Sequence, residues 1–185
     1  MLTHGTLILA ALIIIGCGFR AHAEDKMFED FETNPATRWQ YIADTVMGGV
    51  SSGQVSFETD GTDSFARLTG TVSTANRGGF IQFRRQLDDP VPADIGGIRL
   101  VVRGNGERYF IHLRTTGTLL PWQFYQSGFE AASTWTEVRL PLSSFGASGS
   151  LLRATPSAST LTSVGVVAYG RDHEALLDVR EIGFY

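Results

Sequence analysis

Ile98-Arg99-Leu100-Val101-Val102-Arg103 runs into Gly104-Asn105-Gly106, and Tyr109-Phe110-Ile111-His112-Leu113-Arg114 runs out of it. On both sides of the turn, apolar residues fall at every second position: Ile98, Leu100 and Val102 before it, Tyr109, Ile111 and Leu113 after it. A period of two places those residues on one face of an extended chain, which suits a strand with a buried side and a solvated side. Asn-Gly between two such runs supplies residues that tolerate positive φ, so the pair reads as a β-hairpin.

Outward from this stretch the same pattern recurs and helical periodicity does not. Gln54–Glu58, Phe65–Val72, Phe80–Leu87, Trp122–Gln126 and Thr136–Leu140 alternate, and Gly, Ser, Asn, Asp or Pro separates them. Val164–Tyr169 is almost wholly apolar and reads as a central strand, and Ala175–Tyr185 closes the chain. Nine or ten strands with turns every ten to fifteen residues predict an all-β fold, a two-sheet β-sandwich or jelly roll. Gly146–Thr162, rich in Ser, Ala, Thr and Gly, reads as a long, mobile surface crossover.

The N-terminus departs from this composition. Leu7–Ile15 is an unbroken run of nine apolar residues. As a helix it rises roughly 13 Å, about half of a bilayer core. Its position ahead of small residues predicts a short signal helix, with residues 1–23 as signal peptide and 24–185 as one domain. Ala21-His22-Ala23 is an A-x-A cleavage pattern that leaves Glu24 first. Ile14-Ile15-Gly16-Cys17 resembles a lipobox, in which the signal is 1–16 and Cys17 is lipidated. Both readings stand, and only the second tethers the domain to a membrane. Cys17 is the sole cysteine, so no disulfide forms and stability rests on a core. The expected location is the periplasm or cell envelope. The chain has a net charge of −4 and no Lys/Arg stripe, which argues against nucleic acid as a partner.

Catalytic signatures are sparse. Gly49-Val50-Ser51-Ser52-Gly53 satisfies the G-x-S-x-G expression, but a nucleophile elbow needs a strand-to-helix turn in an α/β sheet, and strands flank this one. Beyond residue 23 there are two histidines, His112 and His173, and no thiol, so no metal-ligand spacing is recognisable. No cofactor and no catalytic residue are expected. Paired carboxylates for glycoside hydrolysis meet only in the fold and carry no sequence signal. The aromatics are richer. Trp122-Gln123-Phe124-Tyr125 follows Pro121, and Trp122 or Tyr125 is a candidate for stacking on a sugar, although most aromatics belong in the core. Arg84, Arg103 and Arg114 fall on neighbouring strands in sequence and read either as a polar stripe for a ligand or as a solvated face.

The stretch Asp44-Thr45-Val46-Met47-Gly48-Gly49-Val50-Ser51 resembles the D-x-V-M-G-G-x-S signature of the complex I intermediate-associated protein 30 family. Asn76-Arg77-Gly78-Gly79-Phe80 resembles its N-x-G-G-F element, Phe65–Gly70 its F-x-G-type strand, and Trp135–Phe145 its W-x-x-v-x-l-P-f-x-x-F strand. Arg103–Tyr109 matches R-G-D-G-x-x-Y with Asn105 in place of Asp. The resemblance spans about Phe28 to Phe184 and implies a galactose-binding-like jelly roll without established catalytic residues. It makes Met47, Gly48, Gly49, Ser51, Gly78, Gly79, Phe80 and Gly104 structural, and Asp44 and Asn76 either ligand contacts or caps of their own turns. The family's named member assists assembly of respiratory complex I. An exported domain lies on the wrong side of the membrane for the peripheral arm of that complex.

Three functions follow as expectations. The first is a non-catalytic binding or scaffolding module for a protein or envelope component. The second is a jelly-roll carbohydrate-binding module whose partner is envelope polysaccharide. The third, least supported by the motifs, is an enzyme on envelope sugars or esters.

Overall fold

A computed structural model describes residues 25–185; the expected signal helix and Cys17 lie outside the described residues. Twelve strands follow in order: β1 (Lys26–Glu29), β2 (Gln40–Ala43), β3 (Ser52–Asp60), β4 (Asp63–Val72), β5 (Phe80–Gln86), β6 (Gly97–Gly104), β7 (Arg108–Thr115), β8 (Tyr125–Glu130), β9 (Thr136–Pro141), β10 (Gly146–Ala147), β11 (Leu161–Tyr169) and β12 (His173–Phe184). Helix among the described residues is confined to single 3₁₀ turns. The strands form two antiparallel sheets. The first has the order β3-β4-β12-β6-β9, with β1 added on β12, and the second runs β10-β8-β7-β11-β5-β2. The two-sheet jelly roll expected from the alternation is present.

The long strand β12 organises the first sheet. Along one edge it pairs with β6; along the other, residues 173–179 pair with β4 and residues 182–184 with β1. A register shift between Val179 and Glu181 lets one strand serve both neighbours. Its inward residues Leu177, Val179 and Ile182 are fully buried and meet Ile111, Leu113, Val164 and Val166 of the second sheet in one core cluster. Each such aliphatic contributes roughly 1.5–3 kcal/mol on burial, and with no disulfide available this core carries the stability. Val164–Tyr169 is indeed central, with β7 on one side and β5 on the other.

The stretch around Asn105 forms two strands but no hairpin. β6 pairs with β12 and β9 in the first sheet, whereas β7 pairs with β11 and β8 in the second. Gly104–Glu107 is therefore a corner between sheets. Its hydrogen bonds go elsewhere: Gly104 N–H donates to Ala132 O at 2.7 Å and Gly106 N–H to Ala131 O at 2.8 Å. Asn105 Nδ2 donates to Glu174 O, while its Oδ1 accepts the Tyr109 hydroxyl, both at 2.8 Å. The Tyr109 oxygen in turn accepts Leu176 N–H at 2.9 Å, and burial pushes its phenol up to about 12. A side chain on Gly104 would place its Cβ 2.8 Å from both Ala131 Cβ and Leu176 O, so the corner closes only with glycine. Asn105 in place of an acid is also explained, since a carboxylate has no N–H to give Glu174.

Two further segments depart from the expected boundaries. β8 begins at Tyr125, leaving Trp122–Phe124 in the preceding loop. Gly146–Thr162 is tied down rather than free: β10 pairs with β8, and Pro156, Ala158 and Leu161 are buried.

Candidate functional site

The two family-like motifs meet on one buried carboxylate. Asp44 opens the 3₁₀ turn Asp44–Met47 and is 0% exposed. Its Oδ1 accepts Ser51 N–H at 3.0 Å; its Oδ2 accepts Ser51 Oγ–H at 2.5 Å, Gly79 N–H at 2.5 Å and Phe80 N–H at 3.3 Å. Burial alone would raise this carboxyl, but the bonds from Ser51, Gly79 and Phe80 outweigh it and hold it below the usual carboxylate value. The glycines follow from this contact. A Cβ on Gly49 would lie 2.3 Å from Asp44 Cγ, and one on Gly78 2.3 Å from Asp44 Oδ2. Asp44 thus caps a distant segment rather than its own turn, and it faces no solvent through which a ligand would arrive.

Ser51 is 1% exposed, and its hydroxyl also accepts Ser73 N–H at 2.9 Å. With that oxygen committed on both sides and β3 following directly, the G-x-S-x-G stretch is a turn, not a nucleophile elbow. Asn76 stands exposed at φ 56, a left-handed conformation that Asn tolerates, with no cap bond to its own turn. Gly48 ends the first turn at φ 91, while Val46, Met47 and Val50 around it are 75%, 62% and 51% exposed.

The three candidate arginines separate. Arg103 lies on the outer face of the first sheet, where its Nε donates to Asp178 at 2.8 Å and its guanidinium sits 4.5 Å over Trp135. Arg67 holds the same carboxylate through two bonds of 2.7 and 2.8 Å. Arg99, Arg139 and Arg180 on this face are likewise paired with Glu137, Glu181, Asp25 or Asp63. The face is closed electrostatically.

The outer face of the second sheet is built differently. Strand pairing sets Gln40, Arg84, Gly165, His112 and Gln126 side by side across five strands. Gly165 contributes no side chain, and the Gln82 side chain and the Arg84 stem close over it. The His112 ring stacks on Phe124 at 4.0 Å and 10°, and Tyr169 meets it edge-on at 5.4 Å. His112 is 9% exposed; burial pulls its imidazole down to about 3, against the opposing pull of Gln126, so the ring is neutral near pH 7. Ser163 Oγ is buried without a hydrogen-bond partner among the described residues, while His112 Nε2 and Gln126 Oε1, also buried, make no bond of normal geometry yet lie close enough for Gln126 to act on the imidazole. Such atoms cost roughly 1–3 kcal/mol each, and here they lie beneath the surface of this face, under the Phe124 ring and its neighbours.

Arg114 braces one end of this face. Its Nη2 donates to Thr118 O at 3.0 Å and Leu120 O at 2.9 Å, holding the loop 116–124. Gln123 Oε1 accepts Leu120 N–H, and Ser148 Oγ donates to Trp122 O while accepting Phe124 N–H. Trp122 stands 65% exposed on this braced loop. Tyr125 is 3% exposed and points into the core opposite Leu113, where a ligand on the outer face does not reach it. Sequence reading singled out Arg84, Arg114 and Trp122 but not Phe124, Gln126, Tyr169 or the role of His112. Alternation along each strand put them on one side; only the strand order made them neighbours.

The all-β two-sheet architecture is a galactose-binding-like jelly roll. The chain belongs to the complex I intermediate-associated protein 30 family, whose model matches residues 28–176. No curated protein matches it in sequence. In fold it is similar to the family 11 carbohydrate-binding module of the cellulosomal cellulase Lic26A-Cel5E of Clostridium thermocellum, with TM-score 0.70 and 16% identity over 89% of this chain and 95% of that one. The Clostridium thermocellum family 11 module in complex with a β-1,3-1,4-mixed-linked tetrasaccharide is similar at TM-score 0.69 and 16% identity, covering 86% of this chain and 94% of that one. An exo-β-agarase matches at TM-score 0.58 and 7% identity, over 86% of this chain and 25% of its own.

Proposed function

We propose that this protein is a non-catalytic, exported binding module that holds a polysaccharide on the outer face of its second sheet. The observation that carries this reading is Trp122, 65% exposed on a loop that Arg114, Gln123 and Ser148 brace beside this polar face. The accessible Gln40 and Arg84 offer donors to sugar hydroxyls, and the exposed Trp122 face suits the apolar C–H side of a pyranose ring. The fold shared with a module solved on a tetrasaccharide supports it. In affinity electrophoresis against soluble polysaccharides, the mature protein is expected to be retarded. Trp122→Ala is expected to weaken binding roughly thirtyfold, the loss of about 2 kcal/mol typical of an exposed tryptophan anchor. Unchanged affinity in that variant, or no retardation by any polysaccharide, would overturn the reading. The scaffolding alternative is favoured by the exposed Val46, Met47 and Val50, and a folded, glycan-silent domain would leave it standing.

Export rests on Leu7–Ile15 and the two cleavage patterns. The intact mass of the protein from membrane and membrane-free fractions is expected to show a chain starting at Glu24 or at lipidated Cys17. A chain retaining Met1 in both fractions refutes it.

A further inference from the structure

The outer faces of the two sheets treat their arginines in opposite ways. On the first, each of five arginines is matched to a carboxylate. On the second, Arg84 has no ion pair and no side-chain hydrogen bond among the described residues, although its stem is partly buried. Arg114, across β11 and two residues along in register, spends its donors on loop carbonyls, which leaves its charge uncancelled. The residues that pair across this face with Arg84 and Arg114 are Gln40, Gly165 and Ser163, and none is acidic. Burial and the charge of Arg114 both lower the Arg84 guanidinium pKa, so the two cations are near enough to repel. Two partly exposed cations with no carboxylate paired to them therefore make this face locally positive in a chain of net charge −4, the arrangement that attracts an anion.

The geometry points to an acidic polysaccharide as the ligand, its carboxylate or sulfate held by Arg84 while the exposed Gln40 beside it bonds a neighbouring hydroxyl. This inference rests on the polysaccharide reading above and adds the charge of the ligand. A planar guanidinium presents paired donors that match either oxyanion. The overall negative charge works against adventitious capture of a polyanion, so retention reports the local site.

Isothermal titration of the mature protein with a uronate polymer, a sulfated galactan and neutral mixed-linked β-glucan tests this. At least one acidic polymer is expected to bind about tenfold or more tightly than the glucan, and which one does so separates carboxylate from sulfate. The preference is expected to shrink between about 50 mM and about 500 mM salt. Arg84→Gln should bring acidic and neutral affinities to within about threefold of each other, and Arg84→Lys, which keeps the charge but not the paired donors, should retain only part of the preference. Thermal midpoints of both variants check folding. Equal or tighter binding of the neutral glucan, or a preference that survives Arg84→Gln, overturns the charge inference and leaves polysaccharide binding intact. Silence toward all three polymers overturns both.

Discussion

Replacing Asp44 by Ala is expected to destabilise the domain by at least about 3 kcal/mol. The carboxylate accepts four hydrogen bonds from Ser51, Gly79 and Phe80, the three shortest between 2.5 and 3.0 Å. Truncation strands those donors in a site that is 0% exposed, and each buried unsatisfied donor costs roughly 1–3 kcal/mol. Against a total stability of about 5–15 kcal/mol, urea denaturation should show a large shift in midpoint. Asp44→Asn keeps the shape but turns one acceptor into a donor facing other donors, so a comparable loss is expected. The acid side follows from linkage. The folded pKa is depressed, so the stabilisation is complete above the unfolded value near 3.9 and is lost as pH falls through the folded pKa. His112 acts in the same direction over a wider window. Its folded pKa is about 3 against about 6.5 unfolded, so the unfolded chain binds more protons across that interval and stability falls as pH drops through it. Full stability in Asp44→Ala, with ligand binding lost, would instead make Asp44 a ligand contact.

Glu29→Ala is expected to cost about 3–5 kcal/mol, for a related reason at the other end of the sandwich. The Glu29 side chain is 0% exposed and accepts Arg38 Nη2 at 2.7 Å, Arg85 Nη1 at 2.8 Å, Trp39 Nε1 at 2.8 Å and Phe31 N–H at 2.9 Å. Burial opposes its ionisation, and the bonds from Arg38, Trp39 and Phe31 prevail and lower its pKa. Removing one member of a buried pair leaves the other charge poorly compensated; here that is chiefly Arg85, whose side chain is only 12% exposed and which keeps only the exposed Asp88 at 3.9 Å as a counter-charge. Because Trp39 lies in the core against Phe83 at 5.0 Å, its emission should redden as the segment loosens. A loss below about 1 kcal/mol with unchanged tryptophan emission would show that water replaces the carboxylate without penalty.

Both carboxylates were visible in the sequence, and neither role was. Asp44 stood in a motif read as a ligand contact or a local cap. Its partners are 7, 35 and 36 residues away, a separation that no local rule spans. Glu29 carried no signal at all, since a Glu before Asp30 looks like surface. The Asn105 turn shows the same limit. Alternation and Asn-Gly chemistry report where strands end and where the chain can bend, and both were right. Whether the next strand pairs with the last depends on which backbone groups await it, and here Ala131, Ala132 and Glu174 captured the corner.

The longer alternating strands, the all-β class, the absence of disulfides in the domain and the kinship with the family's jelly roll were set by the sequence alone, because side-chain period and turn residues act over a few positions; the short strands β1, β2 and β10 exist only through their partners. The candidate face was decided only by tertiary structure. Arg103 and Arg84 are alike in sequence, each one position from a buried apolar residue on an alternating strand. β6 went to the first sheet, where Asp178 neutralises Arg103, and β5 went to the second, where Gly165 and Gln40 flank Arg84. A charge becomes paired or available according to what the neighbouring strand sets beside it, and strand order is a property of the whole core.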